Sequence, residues 1–452
     1  MAQKSVTYRA LTVGLVAMVS LVAFEYMAVA VAMPVVAREL GGVRLYGLAF
    51  SGAMAAGVVG TVLGGRWADL RGPKAPLWYG TAAFAGGLAV AGLAPDMETL
   101  IAGRMVQGVG GGLVSVALYV VVGRVYPEEL HPKIFSLFAT AWVVPSMVGP
   151  ALVGATVDGV GWRWVFLAVP ALTVFAAVLL LRGLAGQQLA GGQGASGAPG
   201  RLGRNLAWAA VTAVGAGLMQ YGGAENPALL VAGLVVLALA LPKLLPAGTM
   251  RAARGLPAVV GLRGLTAGAF FAAEVIVPLM LISKRDMSPL AAGLALTGGA
   301  LTWSFASWLQ GREVFGRTTN LLAGTGAIGL GILLMSAVTL DAVPVAVAYP
   351  SWIVAGFGMG LVYPTLSVLT LELSGPGEQG ANSSALQVGE MVFSVVSVAV
   401  TGAIFTATGS GYWTVFAVAV LLALAGLWVA PRYARPRVND VVMTPPSPVA
   451  AR

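Results

Sequence analysis

The chain has 452 residues, of which 58% are hydrophobic and only 10% charged, and its formal net charge is +9. A soluble domain carries roughly 25% charged residues, so the charge that a water-facing surface needs is missing. The absence of cysteine excludes disulfides, thiolate metal sites and cysteine nucleophiles, and the lone His131 nearly excludes histidine-based metal or triad chemistry.

Apolar runs recur from residue 11 to residue 430. The first, behind Lys4 and Arg9, superficially resembles a signal peptide, but it continues to Pro34, contains Glu25 and lacks a clear cleavage site. In hydrocarbon every backbone polar group needs an internal partner, so runs of about 20 apolar residues read as helices. Fourteen spans are expected, at 11–34, 46–67, 75–94, 98–122, 134–157, 162–182, 205–222, 228–245, 257–283, 289–311, 320–340, 344–371, 381–407 and 412–430.

Basic residues orient them. With the first span starting in the cytoplasm, only Arg38, Arg44, Arg163, Lys284 and Arg285 fall outside, and Arg104 lies within a span. The other Lys and Arg residues, Arg263 among them, fall inside. This asymmetry predicts two cytoplasmic termini and a multi-pass protein of the cell membrane, and it assigns the net positive charge to loops and not to nucleic-acid binding.

The expected organisation is an N-terminal six-helix bundle (1–182), a Gly- and Ala-rich cytoplasmic linker (183–204), an inserted helix pair (205–245), a C-terminal six-helix bundle (246–431) and a disordered cytoplasmic tail (432–452). The second bundle reads as a copy of the first. Glu25 lies 40 residues before Gly65 and Glu274 lies 37 residues before Gly311. Two such halves around a midplane site are common among secondary transporters.

Gly65-Arg66-Trp67-Ala68-Asp69-Leu70-Arg71-Gly72-Pro73-Lys74 resembles the helix 2–3 loop signature of the major facilitator superfamily, with Leu70 and Pro73 standing where basic residues are usual. Leu100, Arg104, Gln107, Gly108 and Gly110 match that family's helix 4 pattern. Pro145, Gly149, Pro150 and Gly154 are similar to its helix 5 antiporter motif, with Pro145 and Val153 in place of glycines. With the layout above, the chain resembles the fourteen-span drug:proton antiporters, and among them actinobacterial efflux members. The resemblance implies an all-α membrane fold and alternating access driven by the proton gradient, with no cofactor and a monomeric state. It also implies that the Gly65, Asp69, Arg71, Gly72 and Lys74 loop locks a cytoplasmic gate, and that Arg104 lies near the central cavity.

Carboxylates at membrane depth are costly and so are functional candidates. Glu25 and Glu274 each lie about 13 Å, and Arg104 about 9 Å, from the same membrane face at 1.5 Å per residue. They are expected to bind the coupling proton, the cationic part of a substrate, or both in exclusion, with Glu390 as a further candidate; a structural hydrogen bond is the alternative for each. Arg104 either pairs with Glu25 or snorkels to the surface. An acidic residue at Asp69 can meet basic groups or a helix N-terminus. Gly149-Pro150 would bend its helix. Tyr26, Gln107, Tyr119, Trp142, Trp303, Tyr363, Asn382 and Gln387 could line a cavity or simply pack. Gly108-Val109-Gly110-Gly111-Gly112 lies in a span and lacks the strand context of a nucleotide loop.

The reading is therefore a proton-coupled exporter of small amphipathic or cationic molecules. The alternatives are an exporter of an endogenous lipid, siderophore or biosynthetic product, and more remotely a receptor or scaffold. No cluster of catalytic residues suggests an enzyme.

Overall fold

The computed structural model describes residues 2–42, 45–185, 200–222, 226–408 and 411–434. The expected linker at 183–204 falls mostly, and the expected tail at 432–452 almost entirely, outside those residues. In chain order the α-helices are α1 (Ala2–Glu39), α2 (Tyr46–Arg71), α3 (Lys74–Gly92), α4 (Met97–Val125), α5 (His131–Thr140), α6 (Val143–Val160), α7 (Arg163–Leu184), α8 (Gly200–Gly222), α9 (Pro227–Leu244), α10 (Leu256–Ser283), α11 (Pro289–Gly311), α12 (Arg317–Ala337), α13 (Ala348–Glu372), α14 (Gln379–Ala407) and α15 (Tyr412–Val429).

The expected count of fourteen spans, and with it the arrangement of two six-helix bundles plus two further spans, is corrected. Among the described residues ten helices are long and apolar enough to cross a membrane, or eleven if one bent pair forms a single span. The stretches at 46–67, 75–94 and 205–222 fold as α2, α3 and α8 but are not among the ten. These three are rich in Gly, Ala and Thr, residues that bring helix backbones together and add little hydropathy. The bent pair, Glu128–Gly149 and Ala151–Val160, contains the stretch expected as one span at 134–157. It turns by 45° between Gly149 and Ala151, where a proline at position 150 supplies no backbone donor.

Helix α4 shows what the small residues do. It packs against both α2 and α3. A Cβ at Gly108, Gly110 or Gly112 would run into the backbone of Ala53, Phe84 or Gly57 respectively. The glycine run is a packing surface. Proline is accommodated equally locally in α13: Pro364 leaves the Gly360 carbonyl without its helical donor, and the Ser307 hydroxyl of α11 donates to that carbonyl at 3.2 Å.

The helices fall into an early and a late group. Among the early ones α1 packs on α6 and α7, and α3 on α7; among the late ones α13 packs on α11 and α12, α10 on α14 and α15, and α12 on α15. The groups meet where α14 lies against α2 and α4, and where α5 lies against α11 and α13. Helices α8 and α9 pack on each other; α8 also touches α2 and α14, so it covers one seam between the groups. One buried apolar cluster joins α8 to α15 and includes Val58 and Val62 of α2. Two others fill the early group, one of them reaching Val368 and Leu371 of α13.

If the glycine surface of α4 sets the fold, Gly110→Val will abolish monodisperse protein in detergent by size-exclusion chromatography. Gly86→Val, on α3 with open space at its Cβ, will leave the elution profile unchanged.

Candidate transport site and gate

Helix α1 presents Glu25 to α4. The Arg104 guanidinium donates to Glu25 Oε1 and to Gln107 Oε1, both through Nη1. Arg104 and Gln107 share a helix face by their i, i+3 spacing, and Glu25 and Arg104 are each only 6% exposed. Of the two alternatives for Arg104, the pairing is the one observed. A buried pair of this kind is weak evidence for stability, but removing one partner leaves an uncompensated charge at a cost of about 3–5 kcal/mol.

Glu274 of α10 is in the opposite condition. It is half-buried, and no ion pair or hydrogen bond among the described residues answers it. Tyr26 of α1 lies in electrostatic range of Glu274, Glu25 and Arg104, and Tyr363 of α13 lies in range of Glu274 and Glu390. Glu274 therefore stands where the early and late groups face each other. On α10 the helix also continues through Pro278, which removes the donor that the Glu274 backbone carbonyl would otherwise meet.

Glu390 of α14 is held by a residue that the sequence reading placed elsewhere. Arg263 was grouped with the loop cations, but it is buried within α10. Its Nε donates to Glu390 Oε2 at 2.7 Å and its Nη1 to the Tyr363 carbonyl at 3.0 Å, while its guanidinium lies 3.5 Å from the Tyr363 ring centroid. The signal was present: Arg263 lies inside the expected span 257–283, as Arg104 lies inside 98–122.

At the end where α2 finishes, the Asp69 carboxylate accepts the backbone N–H of Gly380 at 2.7 Å and of Ala381 at 2.8 Å. These are orphan donors of the first turn of α14, so a carboxylate of the early group caps a helix of the late group. Arg124 of α4 stands 3.7 Å from Asp69, and its Nε donates to Gln379 at 3.4 Å. Gly65 is needed for this approach, since a Cβ there would lie 2.5 Å from the Gly380 carbonyl oxygen. Gly72, at φ 85°, ends α2 with its N–H on the Ala68 carbonyl. Arg71 is exposed in the last turn of α2, and Lys74 begins α3. Burial pushes the Asp69 carboxyl up to about 6, against the lowering effect of the two N–H groups, Arg124 and Arg66.

The other expected cavity residues divide. Tyr26 and Trp142 are exposed and meet edge to face at 6.3 Å between centroids. Trp303 and Tyr363 meet in the same manner at 5.2 Å. Tyr119 instead packs on Phe135 and Phe138 and shares a 3.3 Å hydrogen bond with Ser367 across the groups. Asn382, in the first turn of α14, donates to Ser374 at 2.9 Å. Gln387 is buried on α14, its Nε2 without a partner among the described residues. On α6, a Cβ at Gly149 would lie 3.8 Å from Phe24 and Met27 of α1, whereas nothing lies within 4 Å of a Cβ at Gly154; Pro145 is buried. No group of three or more His, Cys, Asp or Glu among the described residues could hold a metal ion.

Two helix groups that meet around buried ionisable residues, with a cross-group cap at one end, define a polytopic secondary transporter. The profile described as Major Facilitator Superfamily matches residues 15–398, and the chain belongs to that family. It is accordingly an integral, multi-pass membrane transport protein of the alternating-access type and not an enzyme. The placement in the fourteen-span group is not retained, given the helix count above. The chain is 24% identical over 422 residues to the "Multidrug transporter protein MdtP" of Bacillus subtilis, covering 89% of this chain and 76% of that protein. It is 27% identical over 403 residues to the "Probable multidrug-efflux transporter Rv1634" of Mycobacterium tuberculosis, covering 84% of each. The crystal structure of the human organic anion transporter MFSD10 superposes with a TM-score of 0.67 at 14% identity, covering 94% of this chain and 98% of that one. The Escherichia coli fucose:proton symporter FucP gives 0.66 at 15% identity over the same shares. At such identities the structures attest the fold alone.

Arg104→Ala will lower stability by about 3–5 kcal/mol, the cost of stranding a buried partner, read as a fall in the unfolding midpoint in detergent. Adding Glu25→Leu to it will recover most of the loss.

Proposed function

We propose that the chain exports small amphipathic, cationic molecules in exchange for protons, with Glu274 as the exchange group. The observation that carries this is the contrast between the carboxylates: Glu25 and Glu390 have arginine partners, and Glu274 has none among the described residues. A carboxyl kept from water favours its neutral form unless a cation stands beside it. At Glu274 a proton and a cationic cargo would therefore compete for one place, and entry of either would favour departure of the other. The names of the two bacterial relatives, a multidrug transporter and a probable multidrug-efflux transporter, support cargo of drug-like chemistry.

In this reading residues 1–182 and 246–431 are the two halves that rock about the site. The Glu25–Arg104 pair holds a fixed charge balance opposite Glu274, and the bend at Pro150 lets α6 follow α1 through Gly149. Asp69, Arg71 and Lys74 serve as the cytoplasmic gate in this reading, which the hydrogen bonds from Gly380 and Ala381 to Asp69 support. Opening that end must break both hydrogen bonds to Asp69, and the freed carboxylate would be met by water or by neighbouring arginines.

Everted membrane vesicles given an inside-acid pH gradient test this with ethidium as cargo. The wild type will accumulate the dye, a protonophore will collapse the accumulation, and Glu274→Gln will bring it to background at normal expression. Gradient-driven accumulation by Glu274→Gln at the wild-type rate would refute the proposal.

A further inference from the structure

Four side chains of the late group form a continuous run beside the seam. Helix α10 supplies Phe270 and Glu274, whose i, i+4 spacing sets them on one face. Helix α11 supplies Trp303, with its ring centroid 5.5 Å from that of Phe270, and α13 supplies Tyr363, 5.2 Å from Trp303. Both contacts are edge to face, at 85° and 73°. The Tyr363 hydroxyl lies in electrostatic range of Glu274, so the run begins at one polar group and ends at another.

Its polar atoms are unmet. Trp303 Nε1 and the Tyr363 hydroxyl are buried and have no hydrogen-bond partner among the described residues, although Tyr363 is only 7% exposed. Buried Trp N–H and Tyr O–H groups ordinarily find partners. Packing explains the rings but not two adjacent idle donors. Tyr363 is also held rigidly: Arg263 covers one face of its ring and bonds its carbonyl, and Glu390 fixes Arg263. An unmet donor on an immobilised ring is preorganised, so a ligand that satisfies it loses little to ordering.

We propose that Trp303, Tyr363 and Glu274, backed by the buried Phe270, form a recognition subsite for an aromatic ring that carries a hydrogen-bond acceptor at one end and a protonated amine at the other. The ring packs against the partly buried Trp303, which Phe270 backs from the core, and an ether, carbonyl or ring nitrogen takes the Trp303 N–H or the Tyr363 O–H. The amine stands at Glu274; this arm rests on the exchange reading above, whereas the acceptor arm does not. The subsite thus selects for an acceptor as well as for charge and greasiness.

Two probes separate the arms: (2-naphthylmethyl)ammonium and its 6-methoxy derivative, identical in charge and ring and differing in one acceptor. Affinities are measured by titration calorimetry on the full chain in detergent, with detergent alone as the blank. The wild type will bind the methoxy probe about tenfold more tightly, the scale of one well-made hydrogen bond. Trp303→Phe and Tyr363→Phe keep the rings and remove the donors; at least one will abolish the preference while leaving the affinity for the unsubstituted probe within about twofold. Glu274→Gln will weaken both probes alike and keep the preference. A wild type without the preference, or a preference that survives both ring-conserving variants, overturns the acceptor arm while an effect of Glu274→Gln leaves the exchange reading standing. Unchanged affinities in Glu274→Gln overturn the amine arm and the exchange reading together.

Discussion

An ionised side chain withdrawn from water has to be answered, and the carboxylates buried at or near the seam of this protein are answered in different ways. Glu25 is met by Arg104, Glu390 by Arg263, and Asp69 by two backbone N–H groups with Arg124 nearby. Glu274 is met by no group among the described residues. Desolvation makes each carboxylate expensive, so the first three answers fix geometry. They tie α1 to α4, α10 to α14, and α2 to the start of α14. Glu274 has no such tie among the described residues, and the proposed exchange rests on that contrast.

These ties share helices. Helix α14 carries the residues that receive Asp69 at its first turn and, farther along, Glu390, which binds Arg263 of α10. Helix α10 then carries Glu274 on the same rod as Arg263. Glu274 thus sits on a helix bonded to the one that Asp69 caps. On the other side, α4 carries Arg104, Arg124 and the glycines that let α2 and α3 close upon it. Close packing makes such rods move as units, because interiors at crystal-like density do not deform smoothly.

Much of this was legible in sequence because charge and glycine are rare or patterned in an apolar chain. The depth of Glu25 and Arg104 placed them together, and the acidic residue of the helix 2–3 loop was a recognisable candidate for a helix N-terminus. Other features were hidden for physical reasons. Arg263 stood inside an expected span, but its partner Glu390 lies 127 residues later on another helix, and no spacing within the chain joins the two. The count of fourteen spans failed because α2, α3 and α8 resemble spans in length but are made of small residues whose use is contact between helices. Polarity at depth does not say which way a side chain is turned: Asn382 donates to Ser374, and Tyr119 packs on Phe135 and Phe138. The aromatic run from Tyr363 to Phe270 joins three helices, and no spacing within the chain could reveal it.

The central claim is that one carboxyl, Glu274, holds either a proton or a cargo. Proton release on cargo binding measures this most directly: purified protein in weakly buffered detergent solution is titrated with ethidium while a soluble pH dye reports the bulk. The account predicts release approaching one proton per bound ethidium at a pH where the empty site is protonated, with none from Glu274→Gln. Equal release from the wild type and Glu274→Gln, with ethidium bound by both, would contradict it.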